Sequence, residues 1–189
     1  MPWKTLALVA AAILAMGAAP APKAAPPKVA PAKAAPAKAL ARPAPRDDGF
    51  DARDPATMIA ILSAAGAKAE LAHREADAVY LSVTSTAANF TVLFADCDAR
   101  GRKCRAMIFD NAADTAAPTL GQFNAYNQTS AMCRGFQDKV GKPHVIYSSL
   151  VFADDNRARV VSQLTAWQGC IAEFRDFLKD PTAFLAAAP

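Results

Sequence analysis

Between Pro20 and Arg46 the chain reads PAPKAAPPKVAPAKAAPAKALARPAPR, and this stretch limits what can fold. It holds most of the prolines of the sequence and neither an acidic nor an aromatic residue. Such a segment cannot bury enough apolar surface to offset its ordering entropy, so residues 20–46 are expected to be a disordered linker of polyproline II character. Lys23, Lys28, Lys33 and Lys38 recur every five residues and are followed by Arg42 and Arg46. At about 3.1 Å per residue the linker would extend to roughly 80 Å. Ahead of it, MPWK and the uncharged TLALVAAAILAMGAA have the basic start and apolar middle of a secretory signal peptide, with small residues for cleavage. Residues 1–19 are therefore expected to be removed on export to a bacterial periplasm or exterior. The folding unit is confined to residues 47–189.

Charge divides at the same boundary. Seven of the 21 basic residues precede position 47, whereas all 17 acidic residues follow it. The folding unit thus carries 14 basic against 17 acidic residues, a net −3. The high isoelectric point, about 9.0, belongs to the linker and gives no reason to expect nucleic-acid binding by the fold. A cationic linker suits an anionic cell-wall polymer or lipid surface, or serves as a solvated spacer.

Within residues 47–189 the hydrophobic period changes several times. Asp54-Pro55 supplies an N-cap and first turn for a helix carrying Met58, Ile59, Ile61 and Leu62, which Gly66 stops. Four β-rich runs follow: AKAELAH, DAVYLSVTS, ANFTVLFAD and KCRAMIFDN. Phe90, Val92, Phe94, Met107 and Phe109 share one face of the third and fourth runs, and Leu93, Ala95, Ala106 and Ile108 share the other. With both faces partly apolar, helices are expected to cover both. Leu120, Phe123 and Tyr126 lie at helical spacing, and MCRGFQD and HVIYSSLVF are two more strands around a Gly141 turn. Asp154, Asp155 and Asn156 cap a final helix of about 22 residues. Its seam is Val160, Leu164, Trp167, Ile171, Phe174 and Leu178, widened by Val161 and Phe177, and Pro181 ends it. The order α-β-β-β-β-α-β-β-α predicts an α+β domain with an antiparallel sheet and flanking helices.

The combination of Cys97-x6-Cys104 between aromatic strands, the helix with Asn-Ala-Tyr-Asn (124–127), the Arg134–Pro143 run RGFQDKVGKP and a Trp-bearing terminal helix resembles the YbjN family of bacterial sensory-transduction regulators. The resemblance spans about residues 50–180. It implies a fold similar to type III secretion chaperones and a binding or regulatory module, and brings no catalytic residues with it.

Four cysteines in an exported chain read as two disulfides, with three pairings open. Zinc would need closely spaced ligand pairs, and only His73 and His144 are at hand; a redox pair would need C-x-x-C, which is absent. If Arg100-Gly101 is a two-residue turn, Cys97 faces Cys104 across a hairpin at bridging distance. Cys133 and Cys170 then pair by elimination. Asn124, Tyr126 and Asn127 with Arg134 form a candidate binding cluster, whose alternative reading is that the amides satisfy backbone groups between helix and sheet. His73 and His144 stand alone in the sequence, Ser148-Ser149 lacks a nucleophile-elbow context, and no glycine-rich phosphate loop exists. The expectation is a non-enzymatic, cofactor-free module that engages a protein partner of the cell envelope through a sheet face or helix groove, with a homodimer as a further expectation. The alternative is a protein that binds envelope polymer or a small ligand, tethered by its basic linker.

Overall fold

The computed structural model describes residues 49–188, so the signal peptide expected at 1–19 and the linker expected at 20–46 lie outside the described residues. The elements follow the order α1 (Pro55–Ala64), β1 (Lys68–Arg74), β2 (Ala78–Thr84), β3 (Asn89–Ala95), β4 (Ala106–Ala112), α2 (Leu120–Thr129), β5 (Cys133–Gln137), β6 (Pro143–Leu150), α3 (Arg157–Lys179) and α4 (Pro181–Ala187). This is the expected α+β order with one added helix. The strands form a single antiparallel sheet in the order β1-β2-β3-β4-β6-β5.

Local chemistry sets the helix ends. The Asp54 carboxylate accepts from the Ala56 N–H, Pro55 occupies the first turn, and Gly66 follows at φ +81°. Thr119 and Gln122 form a reciprocal capping box on α2. The Asn156 side chain accepts from the Arg159 N–H to start α3, while Asp155 holds the Arg159 guanidinium at 2.7 Å. Pro181 does more than end α3. With Asp180 accepting from the Ala183 N–H, it opens α4, because a proline costs nothing at a first-turn position whose N–H is unpaired anyway.

One face of the sheet carries the core. Val79, Leu81, Val83, Val92, Phe94, Met107, Phe109, Val145 and Tyr147 are buried there with Met58, Ile61 and Leu62 of α1, Phe123 and Tyr126 of α2, and the α3 stripe. Trp167 stacks on Phe109 with ring centroids 5.6 Å apart and meets Phe90 edge-on at 5.7 Å. The α3 stripe widens on the side of Gln163, Cys170 and Phe177, all buried, whereas Val161 stays 46% exposed. Gln163 tolerates that position because its amide donates to Ser149 Oγ at 2.8 Å.

The opposite face departs from expectation. Among the described residues α1, α2 and α3 all pack on the core face, and none covers Leu93 or Ile108. The reason lies in the connections. The first four strands are consecutive neighbours in the sheet, so no crossover among them can carry a helix to the second face.

Both disulfides join the expected cysteines. Cys97 bridges Cys104, and Cys133 bridges Cys170, tying edge strand β5 to α3. The hairpin tip is wider than a two-residue turn. Gly101 N–H donates to the Asp98 carbonyl and Asp98 N–H to the Arg102 carbonyl, enclosing Ala99, Arg100 and Gly101. Gly101 sits at φ +68°, and a Cβ there would lie 2.8 Å from the Arg74 guanidinium. The Asp98 carboxylate accepts from the Arg100 and Arg102 N–H groups and is held below the usual carboxylate range, first by the Arg102 amide.

Candidate functional site

Directly opposed residues on antiparallel strands share a face, so the register lays out the uncovered side row by row. Tyr80, Leu93, Ile108 and Ser148 form the central row. Ala78, Ala95, Ala106 and Leu150 form the row on one side. Ser82, Thr91, Asp110, Ile146 and Arg134 form the row on the other. Tyr80, Leu93, Ala95, Ala106, Ile108 and Ile146 are half-buried by their neighbours alone, and Leu150 is 60% exposed. A solvated face of an antiparallel sheet normally reads polar; this one carries an apolar patch, Tyr80, Leu93, Ala95, Ala106, Ile108, Ile146 and Leu150, bordered by Ser82, Thr91, Asp110 and Ser148.

Aromatic and charged groups border the apolar rows. At one edge His73 stacks on Tyr80 at 3.9 Å between centroids. At the other, His144 stacks on Phe136 at 4.9 Å and meets two carboxylates. Its Nδ1 is 2.8 Å from Asp110 Oδ1 and its Nε2 3.5 Å from Asp138 Oδ2. Asp138 also accepts from the Val140 and Lys142 N–H groups, closing the β5–β6 turn. The sequence alone gave no sign of this cluster, because Asp110, Asp138 and His144 come together only once β4 is known to pair with β6. Asp110, His144 and Asp138 form a polar corner at the border of the uncovered face.

The Lys142 N–H, then Val140 and His144, hold the Asp138 carboxyl below the usual carboxylate range. A lowered folded-state value stabilises the fold above the unfolded pKa, near about 4, and that contribution fades as pH falls through the folded value. Asp138→Ala should therefore lower the unfolding midpoint at pH 7, and the difference from wild type should disappear on titrating toward pH 3. A difference that persists undiminished at acid pH would contradict the assignment.

The cluster of Asn124, Tyr126, Asn127 and Arg134 does not assemble into one site. Asn127 exchanges two hydrogen bonds with the Gly135 backbone, at 2.8 and 3.0 Å, and so satisfies the outer edge of β5. Tyr126 is fully buried among Phe174, Phe177 and Phe184. Burial first, then the nearby Glu173 carboxylate, pushes its phenol well above the usual range. Asn124 is exposed, and the Arg134 guanidinium turns back to the Ser130 and Cys133 carbonyls. Asn127 thus satisfies backbone groups at the junction of α2 with β5, the alternative reading of the amides, whereas Asn124 faces solvent.

Comparison with known proteins yields no matching family model, no matching curated protein and no matching solved structure. The two disulfides fit a non-cytoplasmic environment. Among the described residues no helix is long and apolar enough to cross a membrane, and no group of three His, Cys, Asp or Glu side chains is placed to hold a metal.

Proposed function

We propose that the protein is an exported, periplasmic, non-enzymatic binding module that engages a protein partner of the cell envelope through the uncovered face of its sheet. One observation carries this reading: the rows Tyr80–Leu93–Ile108 and Ala95–Ala106–Leu150, with Ile146, form a partly exposed apolar surface that none of the described helices covers. Contiguous apolar surface on a folded domain is the usual mark of an interface. The charged corner at Asp110, His144 and Asp138 would fix the partner's orientation, as rim charges do. The resemblance to the YbjN family supports a regulatory or chaperone-like role, and the linker expected at 20–46 would tether the domain.

The test is Ile108→Lys. Ile108 packs on no helix, so its unfolding midpoint should match wild type within the range of surface substitutions, about 0.5 kcal/mol. A buried, unpaired ammonium at the interface should cut partner affinity more than about tenfold. Undiminished capture of the same partner by Ile108→Lys would refute the proposal.

A further inference from the structure

On the helical side, a groove of about 540 Å³ opens between the end of α1, the β2–β3 turn and α3. Arg157, Val161, Leu164, Gln168 and Ile171 mark its length along α3 at helical spacing. At about 1.5 Å per residue this stripe covers roughly 21 Å. Over that length the volume leaves a cross-section of roughly 26 Å², room for one extended alkyl chain but not for two or for a fused ring system. Ile61, Leu62 and Phe90 add to the apolar lining. The walls are tied down before any ligand arrives. The Ala65, Gly66 and Ala67 N–H groups bond back to carbonyls of α1. The Ser85 hydroxyl is bonded to both backbone groups of Ala88, and Arg175 of α3 donates to the Ala87 carbonyl. Ligand sites are typically preformed clefts of about 300–1,000 Å³ with apolar walls and few polar groups.

Charge narrows the occupant. Arg157 is the one charged residue of the lining, and it is already engaged, with its guanidinium 5.3 Å from the centre of the Phe50 ring. Among the described residues no carboxylate lines the groove. A carboxylate head would find that cation committed, and an ammonium head would find no counter-charge. An ion of either sign would therefore lose its hydration without gaining a partner. The neutral polar side chains divide in two. Ser85 is bonded to Ala88, and the Thr165 hydroxyl donates to the Val161 carbonyl. Thr86 and Gln168 carry no hydrogen bond to any described residue. They stand on the turn and on α3, the two walls that Arg175 ties together. We infer that the groove is a binding site for an uncharged single-chain amphiphile of the long-chain alcohol class. The chain lies along the α3 stripe, and the hydroxyl is bonded by Thr86 and Gln168. This site is independent of the sheet-face interface.

The test uses the full chain and three probes of equal chain length, decanol, decanoate and decyltrimethylammonium, each below its aggregation threshold. In equilibrium dialysis decanol should bind saturably, one molecule per chain, and both ions at least about tenfold more weakly. Thr86→Val combined with Gln168→Ala should weaken decanol binding about tenfold. Ala65→Phe, which narrows the groove, should abolish it. Val161→Glu, at a position 46% exposed, places a carboxylate in the lining and should make decyltrimethylammonium the preferred probe. Thermal unfolding confirms that each variant is folded. Ile108→Lys should bind decanol as wild type does, so this result is separable from that of the sheet face. The inference is overturned by decanol uptake that does not saturate, by either ion binding wild type as tightly as decanol, or by insensitivity to both the Thr86–Gln168 pair and Ala65→Phe. Loss of decanol binding in Ile108→Lys would also overturn it, by placing the ligand on the sheet face.

Discussion

Replacing Cys133 and Cys170 together by alanine is expected to destabilise the domain by about 4 kcal/mol. The bridge closes a sequence separation of 37 residues, and in the chain-entropy description a loop of that length removes about that much freedom from the unfolded chain. Both cysteines are buried, so the substitution also strips packing between β5 and α3. β5 is a short edge strand, bonded to the sheet through β6 alone, and the bridge holds it down to the helix layer. A domain of about 140 residues should lose roughly 10 °C or more in its unfolding midpoint. The Cys97–Cys104 bridge spans only 7 positions, so its double alanine variant should lose about 2 kcal/mol. Thermal unfolding of both variants under non-reducing conditions makes the comparison. A larger loss from the Cys97–Cys104 pair would show that the β5–α3 tie does not carry the weight given to it.

The second large effect separates the two faces of one strand. Phe109→Ala should cost about 3–5 kcal/mol, the usual penalty for emptying an aromatic position in a closed core. Phe109 is fully buried and packs against Trp167, Phe90 and Tyr147. Ile108→Ala, one residue away, should cost less than about 1 kcal/mol, because that side chain points to the uncovered face. Chemical denaturation of the two variants measures the ratio. Equal penalties would mean that something covers Ile108 in the folded protein.

Much of the architecture is legible in the residues because local rules agree with tertiary ones. Asp54-Pro55, Gly66, Asn156 and the Val160–Leu178 spacing mark helix boundaries by chemistry that needs no partner strand. The alternation in β2 to β4 likewise marks the inward row. The failures come where the outcome depends on a non-local neighbour. The apolar residues Leu93 and Ile108 read as covered, since an apolar residue looks the same whether it faces a helix of its own chain or a surface left for another molecule. Pro181 reads as a terminator because the same residue ends one helix and starts the next. The tip CDARGRKC reads as a two-residue turn; Asp98, capping two amides, draws it into a wider loop. The Asn124–Arg134 cluster misled for a related reason. Asn127 answers to the unpaired edge of β5, and only the strand order exposes that edge. His144 sits between Asp110 and Asp138 through a β4–β6 pairing that a sequence separation of 34 conceals.

The direct measurement is site-specific photo-crosslinking in the native envelope, with the reactive group placed in turn at Leu93, at Ile108 and, as a helix-side control, at Gln168. The proposal predicts one defined protein adduct from Leu93 and Ile108, lost when Ile146 on the same face is changed to Lys, and none from Gln168. Adducts that form only from Gln168, or none from either sheet position in a folded, exported chain, would contradict it.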